Sequence, residues 1–171
     1  RFLGARGSHF FVPLGIGAHL RHWGIAEKLI HDLDWYQSAE LKGLQLTATP
    51  ARHYSGRGVL DSDRALWASW SIAGPRHRVF FSGDSGYSSE WKRIGEKYGP
   101  FDLTLIKIGA SDPTWEQIHM SPEDAVRTHK DVRGRLLLPV HWGTFNLAYH
   151  AWNEPAERLF VAGFRDRVDI G

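Results

Sequence analysis

The sequence predicts a layered α/β fold (α+β by strict class) in a single domain, and three observations support this. Strand-like and helix-like segments alternate through the second half of the chain, which is typical of a sheet covered by helices. Several apolar runs have the length of buried strands and are bounded by turn residues. The length of 171 residues and the hydrophobic content of 42% are ordinary for a globular domain.

In the first half of the chain, apolar patterns predict strands joined by short connections. A short helix is predicted from Ala18 to Trp23, with Gly24 ending it. Gly74 and Pro75 mark the turn of a predicted hairpin. The segments predicted to be strands or extended are 10–14, 29–36, 44–49, 66–72 and 79–82.

In the second half, helices and strands are predicted to alternate. A helix capped by Ser88 or Ser89 is expected to run to about residue 97. Ser121 followed by Pro122 and two acids is a helix start, and that helix is expected to reach about His129. A last helix is predicted to begin near residue 154, and the remaining strands are predicted at 103–108 and 136–140.

Composition excludes several functional classes. The formal net charge is only +2, with basic residues spread along the chain, so a general nucleic-acid surface is not expected. The absence of cysteine excludes disulfides and thiolate zinc sites. No apolar run is long enough to span a bilayer. The many aromatic residues predict core packing, with an apolar groove as the alternative.

Three candidate metal ligands each follow a predicted strand. Asp84 lies in a small-residue turn after 79–82, His53 follows 44–49, and His141 follows 136–140. Imidazole and carboxylate ligands are those that zinc and similar divalent ions prefer. Taken one at a time, an Asp in a tight turn and a His in a loop are commonly structural or solvated. Their shared position after strands favours a metal site.

The sequence around these residues resembles the metallo-β-lactamase superfamily, and within it the group of N-acyl-phosphatidylethanolamine-hydrolysing phospholipase D and its bacterial relatives. The resemblance extends from about residue 10 to residue 158. It rests on the order of these motifs: Thr49-Pro-Ala-Arg-His-Tyr-Ser-Gly-Arg57, Leu66-Trp67, Ser82-Gly-Asp-Ser-Gly-Tyr87, Gly99-Pro-Phe-Asp-Leu103, Ile108-Gly-Ala110, His119-Met-Ser-Pro-Glu-Asp-Ala-Val126 and His141-Trp-Gly-Thr-Phe145.

The resemblance implies an αββα sandwich with a dinuclear site at one edge. It implies two divalent metal ions, with zinc as the first choice, and a metal-bound hydroxide as the nucleophile. Asp84 takes the position of the bridging ligand, while His53 and His141 each take the position of a ligand to one metal. His119 takes the position of a catalytic residue that faces the substrate, with a histidine packed against the following helix as the alternative.

The superfamily's His-x-His-x-Asp-His string does not occur in this chain. We therefore expect residues 1–171 to be the C-terminal part of a longer protein and a single partial domain whose metal loop lies upstream. Each metal would keep only two of its ligands, fewer than the four that zinc prefers. The fragment alone is expected to bind metal weakly and to be inactive. With the first sheet missing, one apolar face of the second sheet should be exposed.

The resemblance suggests a metal-dependent hydrolase of the full-length protein that cleaves a phosphodiester, either a small molecule or a lipid. Two alternatives stay open: a lactone or ester hydrolase on the same fold, and a non-catalytic binding module. A cytoplasmic location is expected, and any peripheral membrane contact is expected through the upstream region.

Other polar residues are expected to have supporting or solvated positions. Tyr54, Trp142 and Thr144 flank ligands and are candidates for supporting them. His129 and His150 are interpreted as ordinary helix or surface residues. Residues Arg57, Asp61, Asp63 and Arg64 are interpreted as a charged, solvated turn.

Overall fold

The computed structural model describes residues 2–56, 62–145 and 147–171. In chain order the helices are α1 (Phe2–Ala5), α2 (Ile16–His22), α3 (Glu90–Tyr98), α4 (Pro122–Asp131) and α5 (Glu154–Asp166). The strands are β1 (Phe10–Pro13), β2 (Ile30–Leu33), β3 (Ser38–Leu41), β4 (Leu44–Thr49), β5 (Ser69–Ala73), β6 (Arg78–Phe81), β7 (Phe101–Lys107), β8 (Gly134–Val140) and β9 (Asp169–Ile170).

The larger sheet has seven strands in the order β3-β4-β5-β6-β7-β8-β9. Neighbours from β3 to β6 run antiparallel, and neighbours from β6 to β9 run parallel. Strands β4, β6, β7 and β8 therefore point the same way. Their carboxyl ends meet at one edge of the sheet, which is where open α/β sheets usually place their sites.

A smaller sheet consists of β1 and β2, which pair in parallel with α2 in the connection between them. Both segments were expected to be extended, but their pairing into a separate sheet was not predicted. A cluster of buried residues, Leu20, Ile25, Leu29 and Ile30, packs beneath them. The chain thus contributes strands outside the large sheet as well as the large sheet itself.

One face of the large sheet is covered by helices. Phe80, Ile106 and Leu137 lie on this face and are fully buried. They belong to one core cluster with Trp91 of α3 and Val126 of α4. Helix α4 begins as expected, because the Ser121 hydroxyl accepts a hydrogen bond from the Asp124 backbone N–H.

The opposite face of the large sheet is apolar and partly exposed. Phe81 is 38%, Leu136 39% and Leu138 37% exposed. Their strands place these side chains on the face away from Phe80, since neighbouring residues of a strand alternate between faces. The expectation of an open apolar sheet face is confirmed for these residues.

Two strands of the structure, β3 and β9, were not predicted from the sequence. Strand β3 pairs with β4 through a two-residue turn in which Lys42 and Gly43 both have positive φ, 51° and 79°. Such a turn joins tight hairpins, and the Lys-Gly pair was a readable signal. Strand β9 has only two residues and exists because it pairs with β8, which no local pattern reveals.

Candidate metal centre

Asp84 and two histidines come together at the edge where β4, β6 and β8 end. Asp84 lies three residues after β6, His53 four residues after β4, and His141 directly after β8. His119 joins them from the segment that precedes α4. The structure therefore brings together all four residues that the sequence singled out.

The carboxylate of Asp84 lies at the centre of this group. Its Oδ2 is 3.7 Å from His53 Nε2 and 3.3 Å from His141 Nε2, and its Oδ1 is 3.3 Å from His119 Nε2. His53 Nε2 and His119 Nε2 are 3.5 Å apart. His119 thus lies as near to Asp84 as the two predicted ligands do. Its role as a residue that faces the substrate stays a prediction.

These separations fit a metal ion. Two ligands about 2.1 Å from a tetrahedral zinc stand about 3.4 Å from each other. The ligand atoms of His53, Asp84 and His119 all lie within 4.8 Å of one another. Asp84 Oδ1 is also buried and accepts no hydrogen bond in the described parts of the chain. A cation would satisfy that oxygen, so the residues present fit the metal that the sequence implies.

A hydrogen bond of its other ring nitrogen orients His53 so that Nε2 faces the site. Its Nδ1 lies 2.8 Å from the Tyr54 carbonyl oxygen. Since a carbonyl oxygen can only accept, Nδ1 donates this hydrogen bond, and Nε2 is the ring nitrogen that faces Asp84. The Tyr54 ring stacks on the imidazole with centroids 4.8 Å apart. The expectation that Tyr54 supports a ligand agrees with these contacts.

The charges of the site are coupled through Asp84. Burial raises the pKa of Asp84, but the hydrogen bond with His141 and the nearby imidazoles outweigh it, so this pKa is lowered overall. The same hydrogen bond raises the pKa of His141 against the effect of burial. For His119, burial and the charge of Lys107 lower the pKa to about 4. Near neutral pH the His119 imidazole is therefore uncharged and free to bind a metal or a proton donor.

Ser85 connects the loops that carry the candidate residues. Its hydroxyl accepts a hydrogen bond from the Arg52 backbone N–H at 2.8 Å, next to His53. Its carbonyl accepts one from the Met120 N–H at 2.9 Å, next to His119. Since Ser85 itself follows Asp84 and is fully buried, it fixes the spacing among all three.

We expect Ser85→Ala to loosen the site. The Arg52 N–H would lose its partner, which should cost about 1–3 kcal/mol of the free energy of unfolding. Zinc affinity should fall about tenfold or more, because groups that orient ligands contribute about that much. Urea unfolding and zinc titration measure the two effects. Ser89→Ala is the control, since Ser89 is exposed and makes no capping hydrogen bond; equal behaviour of the two variants would contradict the role of Ser85.

Close backbone approaches also define the site. A Cβ atom at Gly86 would lie 2.3 Å from the Gln117 carbonyl oxygen, and one at Gly109 would lie 2.3 Å from the His141 carbonyl oxygen. Glycine at these positions lets the Asp84 loop pack on the segment before His119. It also lets the segment that follows β7 pack closely beside His141, which itself has a positive φ of 60°.

Lys107 is a buried residue of the site that was not predicted from the sequence. It is the last residue of β7 and is fully buried. Its Nζ donates one long hydrogen bond, 3.4 Å, to the Met120 carbonyl. Burial lowers the pKa of Lys107 to about 7, and the charge of Asp84 opposes that shift. The signal in the sequence was a lysine between two isoleucines in an apolar run.

His129 and Asp63 have environments that differ from those expected from the sequence. His129, expected at the surface or on a helix, is on α4 but buried, with its Nδ1 2.8 Å from the Thr104 hydroxyl. This contact with Thr104 buries His129, because Thr104 lies on the face of the sheet that the helices cover. Asp63 accepts a hydrogen bond from the Ser55 N–H and is not simply solvated. Arg57 and Asp61 lie outside the described residues.

Residues 2–142 match the family described as Beta-lactamase superfamily domain. The chain belongs to the β-lactamase superfamily. The match covers both sheets up to the end of β8, including Asp84, His53, His119 and His141.

Relatives and solved structures agree with this family. An uncharacterised protein of Mycobacterium tuberculosis is 50% identical over 98% of this chain and 46% of its own length. N-acyl-phosphatidylethanolamine-hydrolyzing phospholipase D 1 of Caenorhabditis elegans is 37% identical over 88% of this chain and 45% of its own length. The chain thus spans about half the length of these curated relatives.

The fold is shared with Igni18, a metallo hydrolase from Ignicoccus hospitalis. The TM-score is 0.75 at 24% identity, and the alignment covers 99% of this chain and 67% of that one. The likeness shows that the β-lactamase superfamily chain has the metallo-β-lactamase fold. Among the described residues, no helix is both long and apolar enough to cross a bilayer.

Proposed function

We propose that the β-lactamase superfamily chain forms part of a metal-dependent phosphodiesterase with a dinuclear, zinc-type site. The observation that carries the proposal is the placement of three imidazole Nε2 atoms within 3.3–3.7 Å of the Asp84 carboxylate. The relative named as a phospholipase D, 37% identical, supports a phosphodiester as the bond that is cleaved. A lipid phosphodiester is the substrate we favour.

Each residue of the cluster has a proposed role. Asp84, His53 and His141 would hold the ions, with Asp84 at the centre of the group. Bound ions would supply Lewis acidity and activate water for attack on phosphorus. His119 faces the substrate, and since its imidazole is uncharged near neutral pH, it can take a proton from the attacking water and pass it to the leaving oxygen.

We also propose that this chain is a partial domain. Four candidate residues are too few to complete two metal sites, so further ligands would come from another part of the protein. The exposed apolar sheet face with Phe81, Leu136 and Leu138 supports the proposal, because a packed second sheet would cover it. Residues 1–171 alone are therefore expected to bind zinc weakly and to turn over no substrate. A cytoplasmic location, with peripheral membrane contact through the remaining part, completes the proposal.

The test uses the full-length protein. Bis(4-nitrophenyl) phosphate and an N-acyl-phosphatidylethanolamine should be cleaved, a chelator should abolish cleavage, and added zinc should restore it. Cleavage of a small lactone or ester without either phosphodiester would support the alternative hydrolase. Metal content without turnover of any of these would favour a binding module.

A further inference from the structure

Trp67 binds the loop that carries His53. Its indole Nε1 donates a hydrogen bond of 3.0 Å to the carbonyl oxygen of Ala51, two residues before His53. The ring is partly buried and packs against the main core cluster. Trp67 belongs to the Leu66-Trp67 motif, which the proposed chemistry leaves without a role. Since an indole has a single donor and no acceptor, this bond ties the Ala51 carbonyl to the core.

The segment of Trp67 also holds the residues just before Ala51. The Ser69 hydroxyl lies 3.2 Å from the Thr49 carbonyl oxygen and 2.9 Å from the Pro50 carbonyl oxygen, within hydrogen-bond distance of both. Ser69 is fully buried and Ala51 nearly so, and buried carbonyl groups need partners. Two side chains from one short segment, Trp67 and Ser69, therefore contact three successive carbonyl oxygens of the loop.

Trp67 is in turn held by Trp35. The Trp35 Nε1 donates a hydrogen bond of 2.7 Å to the Trp67 carbonyl oxygen, and the two rings meet edge to face with centroids 6.2 Å apart. Trp35 lies in the connection between β2 and β3. Its neighbour Tyr36 donates a backbone hydrogen bond of 2.7 Å to the Ala48 carbonyl of β4. The two tryptophans thus join the small sheet to the loop that carries His53.

We propose that Trp67 is a positioning residue for His53, which it holds through the Ala51 carbonyl. The His53 Nε2 stands 3.7 Å from Asp84 Oδ2, and metal ligands have to stay within about 0.5 Å of their working positions. Loss of the indole donor would leave the carbonyl of a buried residue without its partner and let the loop shift. The inference rests on the proposed function, because it takes His53 as a metal ligand.

Zinc binding by the full-length protein tests the inference. Trp67→Phe keeps an aromatic ring but removes the Nε1 donor. We expect the zinc affinity, measured by competition with a fluorescent chelator, to fall about tenfold to 100-fold, since groups that orient ligands contribute about that much. The visible absorption spectrum of bound cobalt(II), which reports the geometry around the metal, should also differ from that of the parent protein.

Two further measurements separate positioning from a loss of folding. Trp35→Phe removes the bond to the Trp67 carbonyl but leaves the Trp67 indole in place, so it should weaken zinc binding in the same direction and by less. Excess zinc should restore most of kcat in Trp67→Phe, because the indole acts through the loop and not on the substrate. Urea unfolding shows that each variant is folded under the conditions of the titration.

Trp91→Phe is the matched control. Trp91 is a fully buried residue of α3 in the same core cluster, and its Nε1 has no hydrogen-bond partner in the described parts of the chain. This substitution should lower the free energy of unfolding without changing zinc affinity or the cobalt spectrum. Unchanged zinc affinity in Trp67→Phe, or an equal loss in Trp91→Phe, would overturn the inference. Zinc binding that depends on Trp67 without any phosphodiester cleavage would instead overturn the proposed function and support the inference.

Discussion

Replacing Asp84 with asparagine should remove the bound metal and lower kcat/KM by at least about 1,000-fold. The amide keeps the shape of the side chain but removes the negative charge that contacts His53, His119 and His141. Loss of a residue that merely orients a ligand costs about 10- to 100-fold in affinity or activity, so loss of Asp84 in its proposed role as a ligand should cost more. Elemental analysis and kinetics of the full-length protein measure the two effects.

The control for this experiment is Glu96→Gln, which removes an exposed carboxylate of α3. We expect about two zinc or iron ions per chain in the parent protein and in the control, and a clear loss in Asp84→Asn. Full metal content in the Asp84 variant would contradict the assignment of Asp84 as a metal ligand. Absence of metal from the parent as well would leave the fold without hydrolase chemistry.

Replacing Lys107 with methionine should stabilise the metal-free protein. The pKa of Lys107 is lowered to about 7 by burial, while in the unfolded chain it is near 10.4. The unfolded state therefore binds more protons than the folded state between about pH 7 and pH 10. Below this window the folded protein carries the full penalty of the buried charge, and stability rises as pH increases through the window.

The expected gain from Lys107→Met is on the order of 4 kcal/mol at pH 6, and it should shrink towards zero near pH 10. Loss of the long hydrogen bond to the Met120 carbonyl offsets only part of it. Urea unfolding at several pH values, with a chelator present, measures the gain. Lys92→Met on α3, where the lysine is exposed, is the control and should change little. Equal and pH-independent effects of the two substitutions would show that Lys107 carries no penalty.

A stabilising substitution at Lys107 would also be informative about activity. Substitutions that stabilise a protein commonly lower its activity when the replaced group serves the active site. The Nζ of Lys107 bonds the carbonyl next to His119, and its charge contributes to the lowered pKa of that histidine. We therefore expect the more stable variant to be less active in the same phosphodiester assay.

Elements with strong local signals could be predicted from sequence. The bounds of β4 agree with the predicted segment, and α4 begins at Pro122 behind its Ser121 cap as expected. The same reasoning placed Asp84, His53 and His141 after strands, and those positions are where the structure has them. Local apolar patterns, caps and turns are properties of neighbouring residues, so a sequence reveals them directly.

Features that depend on distant residues could not be predicted. Predicted strand 66–72 begins only at Ser69, because Leu66 and Trp67 instead make hydrogen bonds to Leu14 and Ala51. The link through Ser85 and the burial of Lys107 and His129 arise from contacts between separate segments. None of these contacts leaves a pattern among neighbouring residues.

The sequence by itself determined the α/β class, the family and the identity of the four candidate residues at the site. Only the tertiary structure decided their arrangement, with Asp84 at the centre and His119 as close to it as the predicted ligands. The reason is the sheet order, which brings the carboxyl ends of β4, β6 and β8 to one edge. Strand pairing between residues far apart in the chain sets that order, and backbone hydrogen bonds and burial of the covered face stabilise it.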